Sequence, residues 1–157
     1  MKYLKSLFLL AFIIQISSIL LYSQEEKFYL TIQNEEKASL EAGLKEINLY
    51  KKNANIQIYI GAIEAKLAQF EKNPQQKISS FKKGIEQIES AIKKEPNNVE
   101  FRFIRFMIQE KAPKILRYQS NLEEDKKMIE KNYTSCSQIV KKNITKYTSE
   151  NKSLQLR

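Results

Sequence analysis

The stretch NPQQKISSFKKGIEQIESAIKKEPNNVEFRFIRFMIQEKAP, residues 73–113, decides the fold class. Asn73 and Pro74 open it with a helix start: an Asn side chain can accept from free backbone N–H groups, and Pro suits the first helical position, where no N–H is needed. Ile78, Phe81, Ile85, Ile88 and Ile92 then recur at steps of three and four, which lines one face of a helix. The spacing predicts a helix over 74–94. Pro96 and the pair Asn97-Asn98 stop it and cap a second helix from Val99 to about Lys111, which Pro113 ends.

The same periodicity extends in both directions. Upstream, Leu40, Leu44, Ile47 and Tyr50 predict a helix over about 35–52, with Asn34 as its cap and Glu35 and Glu36 in an acidic first turn. Asn53-Ala54-Asn55 interrupts the pattern, and Ile56, Tyr59, Ile60, Ile63, Leu67 and Phe70 predict a further helix as far as Lys72. Gly61, Ala62 and Ala65 give that helix a low surface that a neighbour can approach closely. Downstream, residues 114–120 are too short and too punctuated for assignment, while Ser120-x-x-Glu123 reads as a capping box opening a helix near Asn121. Ile139, Val140, Ile144 and Tyr147 support a last helix, and the final ten residues are expected to fray.

Composition points the same way. Three Gly and three Pro in 157 residues are too few for the many tight turns of a sandwich or barrel. With no His and a single Cys, the chain lacks the means for His-based triads, Cys/His zinc clusters or an internal disulfide. The expectation is an all-α, non-enzymatic protein without metal or cofactor. Cys136 has only Thr134, Ser135 and Ser137 as near neighbours, none of them a base, so it reads as an unreactive helix residue.

Phe81, Gly84, Ile88, Ala91 and Pro96 fall at the intervals used by the second helix and exit turn of a tetratricopeptide repeat, with the helix around Gly61 as its first. Residues 96–106, Gln109, Pro113 and residues 121–127 resemble a group of exported bacterial tetratricopeptide-like proteins of uncharacterised activity. The resemblance spans roughly residues 43–131. It implies antiparallel helix hairpins in a right-handed stack, each pair burying its open face against the next. An ordinary compact helical bundle is the alternative.

The N-terminus carries Lys2 and Lys5, an apolar stretch from Leu7 to Ile14 that continues to Leu21, and a small polar end at Tyr22-Ser23-Gln24. That is the layout of a secretory signal peptide over 1–23, leaving 24–157 as a single helical domain with a basic end and a periplasmic or extracellular location. An uncleaved membrane anchor is the alternative. The run from Leu4 to Tyr22 is slightly shorter than the roughly 20 residues of a bilayer span and includes Lys5, Gln15, Ser17 and Ser18.

Two surfaces invite function. Val99, Phe101, Phe103, Ile104, Phe106, Met107 and Ile108 surround most of the 99–111 helix and leave Arg102, Arg105 and Gln109 on a narrow stripe. Arginines in so apolar a helix need partners. Those are either acids of the next helix, Glu123, Glu124 or Asp125, or the carboxylate of a protein or peptide held in a groove. From Lys126 to Arg157 the chain holds eight basic residues against Glu130 and Glu150. Lys126, Lys127, Lys131, Lys141, Lys142 and Lys146 could face an anionic surface, or simply water. Nucleic acid is not expected, since no base-stacking motif accompanies the lysines and export separates the chain from it. Glu123-Glu124-Asp125 suits a helix N-terminus better than a metal. The leading expectation is an exported module that binds a protein or peptide; the alternative is a peripheral or anchored membrane-surface protein using its basic C-terminal region.

Overall fold

The computed structural model describes residue 15 and residues 24–156. The signal or anchor assigned to 1–23 lies outside the described residues, as does Arg157. Seven α-helices, and no strand, occur among the described residues: α1 (24–33), α2 (Lys37–Ile47), α3 (Ala54–Leu67), α4 (Pro74–Lys94), α5 (Val99–Lys111), α6 (Leu122–Asn132) and α7 (Gln138–Asn151). The all-α class follows from the stripes and caps. Asn53 accepts from the Ile56 N–H, Asn73 from the Gln76 N–H, and Asn98 from the Glu100 and Phe101 N–H groups. Each such cap contributes about 1 kcal/mol and sets a boundary that periodicity alone leaves open.

Local pairings fix the helix directions. Lys27 meets Glu46 and Gly43 faces Thr31, so α1 and α2 are antiparallel. Gln57 bonds Lys94 while Gly61 faces Gly84, which makes α3 and α4 antiparallel as well. Tyr59 bonds Glu100 near one end, and Lys66 and Lys111 share Glu35 near the other, so α3 and α5 run together. Glu26 with Lys142 and Gln33 with Lys146 align α1 with α7. Odd-numbered helices therefore run one way, and α2 and α4 the other.

The α3–α4 crossing is the tightest. A methyl on Gly84 would come within 2.5 Å of the Ala65 nitrogen, and one on Gly61 within 2.7 Å of the Gly84 carbonyl oxygen. Backbone cannot yield as a side-chain tip can, so glycine is required at both places. α5 is the central helix: its residues 103–109 are all buried. Tyr29 of α1 touches Tyr59 of α3 and Phe103 of α5, and Phe103 and Phe106 meet Tyr147 of α7 edge-on. In a linear stack of hairpins the first and last helices would not meet. Here α1 contacts α3, α5 and α7, which is how a bundle closes on itself.

Several boundaries differ from the sequence expectation. α1 buries Phe28, Tyr29 and Ile32 in the core and has no counterpart among the predicted helices. Because α1 precedes it, Asn34 accepts from the Glu36 N–H inside a turn and does not cap α2, which begins at Lys37. α2 stops at Ile47 because the Asn48 side chain donates to the Leu44 carbonyl, so Tyr50 lies in a loop. α3 gives way to a 3-10 turn at Ala68–Phe70. The Ser120 capping box does not form: Ser120 Oγ donates to Asn121 Oδ1, and the residue preceding α6 is Asn121, without a side-chain cap. Residues 148–155 are held and do not fray. Left-handed Lys152 (φ 53°) turns the chain, Leu154 enters the core, and the Gln155 N–H donates to Glu130.

Candidate functional site

Arg105 is 3% exposed and Asp125 0% exposed. Arg105 Nε donates to Asp125 Oδ2 at 2.6 Å and Nη2 to Oδ1 at 2.7 Å, a two-pronged pairing. Its Nη1 donates to Glu89 of α4 at 2.8 Å, and the Tyr118 hydroxyl donates to the other Glu89 oxygen. Arg102 adds a bond from Nη1 to Asp125 Oδ1 at 3.1 Å, approaches Glu124, and donates from Nε to the Pro96 carbonyl. Burial alone would lower the Arg105 pKa, but the bonds and charges of Asp125 and Glu89 outweigh it and raise it. The Tyr118 hydroxyl is pushed up by burial and by its bond to Glu89.

This network joins α4, α5, the 112–121 segment and α6. It is the pairing with acids of the next helix and of α4; every Arg105 nitrogen is engaged, and at 3% exposure the guanidinium presents no surface to a partner's carboxylate. Gln109, read as a partner-binding residue, is 0% exposed and presents no surface.

The six lysines do not form one face. Lys127 and Lys131 are exposed on α6 and line, with Arg102 and Asn97, a cleft of about 460 Å³. Lys142 and Lys146 lie on α7 and turn toward α1, where they meet Glu26 and Gln33. Lys126 and Lys141 are half-buried. Proximity along the chain does not become one surface, because α6 and α7 are separate helices with separate exposed stripes. Cys136 is half-buried, its thiol donates to the Asn132 carbonyl, and burial raises its pKa, which makes it a poor nucleophile.

A larger concavity than this cleft lies elsewhere, at the end of the bundle where α3 and α5 finish and α4 begins. It is a groove of about 540 Å³ whose apolar wall is built by Ile78, Phe81, Met107, Ile108, Ile115 and Leu116. Asn73 and Pro74 place the α4 wall by starting that helix there. Ala112 and Pro113 end α5, and a 3-10 turn at Lys114–Leu116 projects Ile115, which is 85% exposed. Left-handed Arg117 (φ 51°) then sends the chain back, and the Gln119 amide holds the turn by donating to the Ala112 carbonyl. Ile78 is 40% exposed because its stretch of the α4 stripe faces this groove and not the core.

The rim is basic. Lys66 and Lys111 both contact Glu35 Oε1, at 3.0 and 3.1 Å, and Lys77 donates to the Gln69 carbonyl. Burial lowers the Lys66 pKa despite Glu35. Glu35 is itself drawn down, because its bonds to the two ammonium groups outweigh the opposing effect of burial. Apolar walls with ammonium donors at the mouth can hold an apolar segment and bond an acidic group beside it. Sequence reasoning left 114–120 unassigned; the one signal there was the apolar pair Ile115-Leu116 standing between Pro113 and Arg117. No protein-family model, no curated protein and no solved structure matches this chain, so the geometry alone carries the functional reading.

Proposed function

We propose that this chain is an exported, non-enzymatic binding module whose groove takes a short apolar segment of a partner protein with an acidic residue beside it. The observation that carries the reading is the 540 Å³ groove with Ile78 and Ile115 standing open in it and Lys66, Lys77 and Lys111 at its rim. Apolar side chains left in water are ordinary when scattered, but two that line one concavity mark a contact surface. The volume suits a few side chains of a peptide. The layout of residues 1–23 supports export.

A peptide-display selection tests this. The wild-type chain should enrich sequences that pair bulky apolar residues with Asp or Glu. The variant Ile78→Asp with Ile115→Asp should lose them while keeping its melting temperature, since both positions are open to water. Equal capture of the selected peptides by that variant refutes the groove as the binding site.

A further inference from the structure

The opposite end of the bundle carries a different surface. Lys27 pairs with Glu46, and the Phe28 and Tyr50 rings meet edge-on at 5.6 Å, so the loop after α2 sits beside the start of α1. In sequence, α1 follows directly on the apolar stretch 7–21. The tip of this loop is Leu49-Tyr50-Lys51-Lys52, with Leu49 82% and Tyr50 37% exposed. Lys45, Lys51 and Lys52 are exposed and form no salt bridge among the described residues. α3 begins at this end and α4 finishes there with exposed Lys93 and Lys94, the latter bonded to Gln57 near the start of α3.

We propose that the α2–α3 loop is a membrane-surface contact, with Leu49 and Tyr50 entering the headgroup layer of an anionic bilayer and the flanking lysines meeting its phosphates. Two features converge on that occupant. A leucine so open beside a tyrosine supplies the apolar and amphipathic side chains that settle at a lipid interface. Lysines without acid partners supply charge complementarity, each worth about fivefold in binding near an anionic leaflet. A soluble polyanion would engage the lysines and leave Leu49 in water; a bilayer uses both. The groove lies at the far end of α3, so this contact would leave it facing away from the lipid. The inference does not depend on what the groove binds.

The chain contains no Trp, so a single one reports its own surroundings. Leu49→Trp and Ile115→Trp, both at exposed positions, should be made in the full chain and mixed with phosphatidylcholine vesicles containing about one-third phosphatidylglycerol. Trp emission at position 49 should shift to the blue and be quenched by brominated lipid at least about twofold more than at position 115. Adding Lys51→Glu and Lys52→Glu to Leu49→Trp should return the quenching to the level seen at position 115. Four results would each overturn the proposal: unchanged emission at position 49, an equal shift with phosphatidylcholine alone, equal quenching at both positions, or the same shift produced by heparin without vesicles.

Discussion

Replacing Arg105 by Met isolates the energetics of the buried ion network. Asp125 accepts three bonds, two from Arg105 at 2.6 and 2.7 Å and one from Arg102 at 3.1 Å. Met retains most of the apolar stem, so little packing is lost, but a fully buried carboxylate is left with one bond. Removing one member of a buried pair commonly costs about 3 to 5 kcal/mol. Arg102 remains and Glu89 can turn to water, which puts the expected loss near 3 kcal/mol. In a domain of this size that lowers the melting temperature by about 6 to 12 °C. Asp125→Leu should cost a comparable amount, because it takes two of the three bonds of buried Arg105 and one from Arg102, leaving Arg105 with Glu89 alone. The double variant should cost less than the sum of the two, with a coupling of at least about 2 kcal/mol, because no unpaired charge is left at that contact. Urea unfolding followed by circular dichroism measures all four corners of the cycle. A loss below about 1 kcal/mol for Arg105→Met, or strict additivity, would refute the argument that the network is a buried structural clasp.

Two other perturbations test the packing and the charge placement. Gly84→Ala gains helix propensity but drives a methyl against the Ala65 backbone, and it should destabilise by about 2 kcal/mol or more in urea; a stabilised variant would mean that α3 and α4 are not packed this closely. Burial, with Glu25 nearby, raises the Glu100 pKa above its ordinary 4.5, so the folded state holds this proton more tightly than the unfolded one. The ionised group therefore subtracts stability as pH rises through the window above 4.5, and Glu100→Gln, whose amide oxygen can still accept from Tyr59, should stabilise at neutral pH. The gain should fade toward pH 4, where Glu100 is protonated in both states, and melting curves at the two pH values would expose a pH-independent effect as evidence against this sign.

What the sequence determined by itself was local. Helix caps act within one turn and apolar stripes within one helix, so the starts at Asn73 and Asn98 could be read from their cap residues and the core face of α4 from its spacing, whereas Asn53 read only as an interruption and is the cap of α3. The pairing of Arg102 and Arg105 with Asp125 was among the expected outcomes, because an apolar helix leaves an arginine few alternatives. Tertiary structure decided the rest. α1 is short and its core residues Phe28, Tyr29 and Ile32 make only a brief stripe; what holds it is contact with Tyr59, Phe103 and α7, far away in the chain. Leu154 likewise looked like part of a frayed end until the turn at Lys152 carried it into the core. The groove belongs to no single segment: Ile78 comes from α4, Met107 from α5 and Ile115 from a turn, and only the arrangement of three helix ends leaves space between them. Periodicity reports which side of a helix avoids water, but whether that side meets another helix or an open groove depends on where distant helices stop.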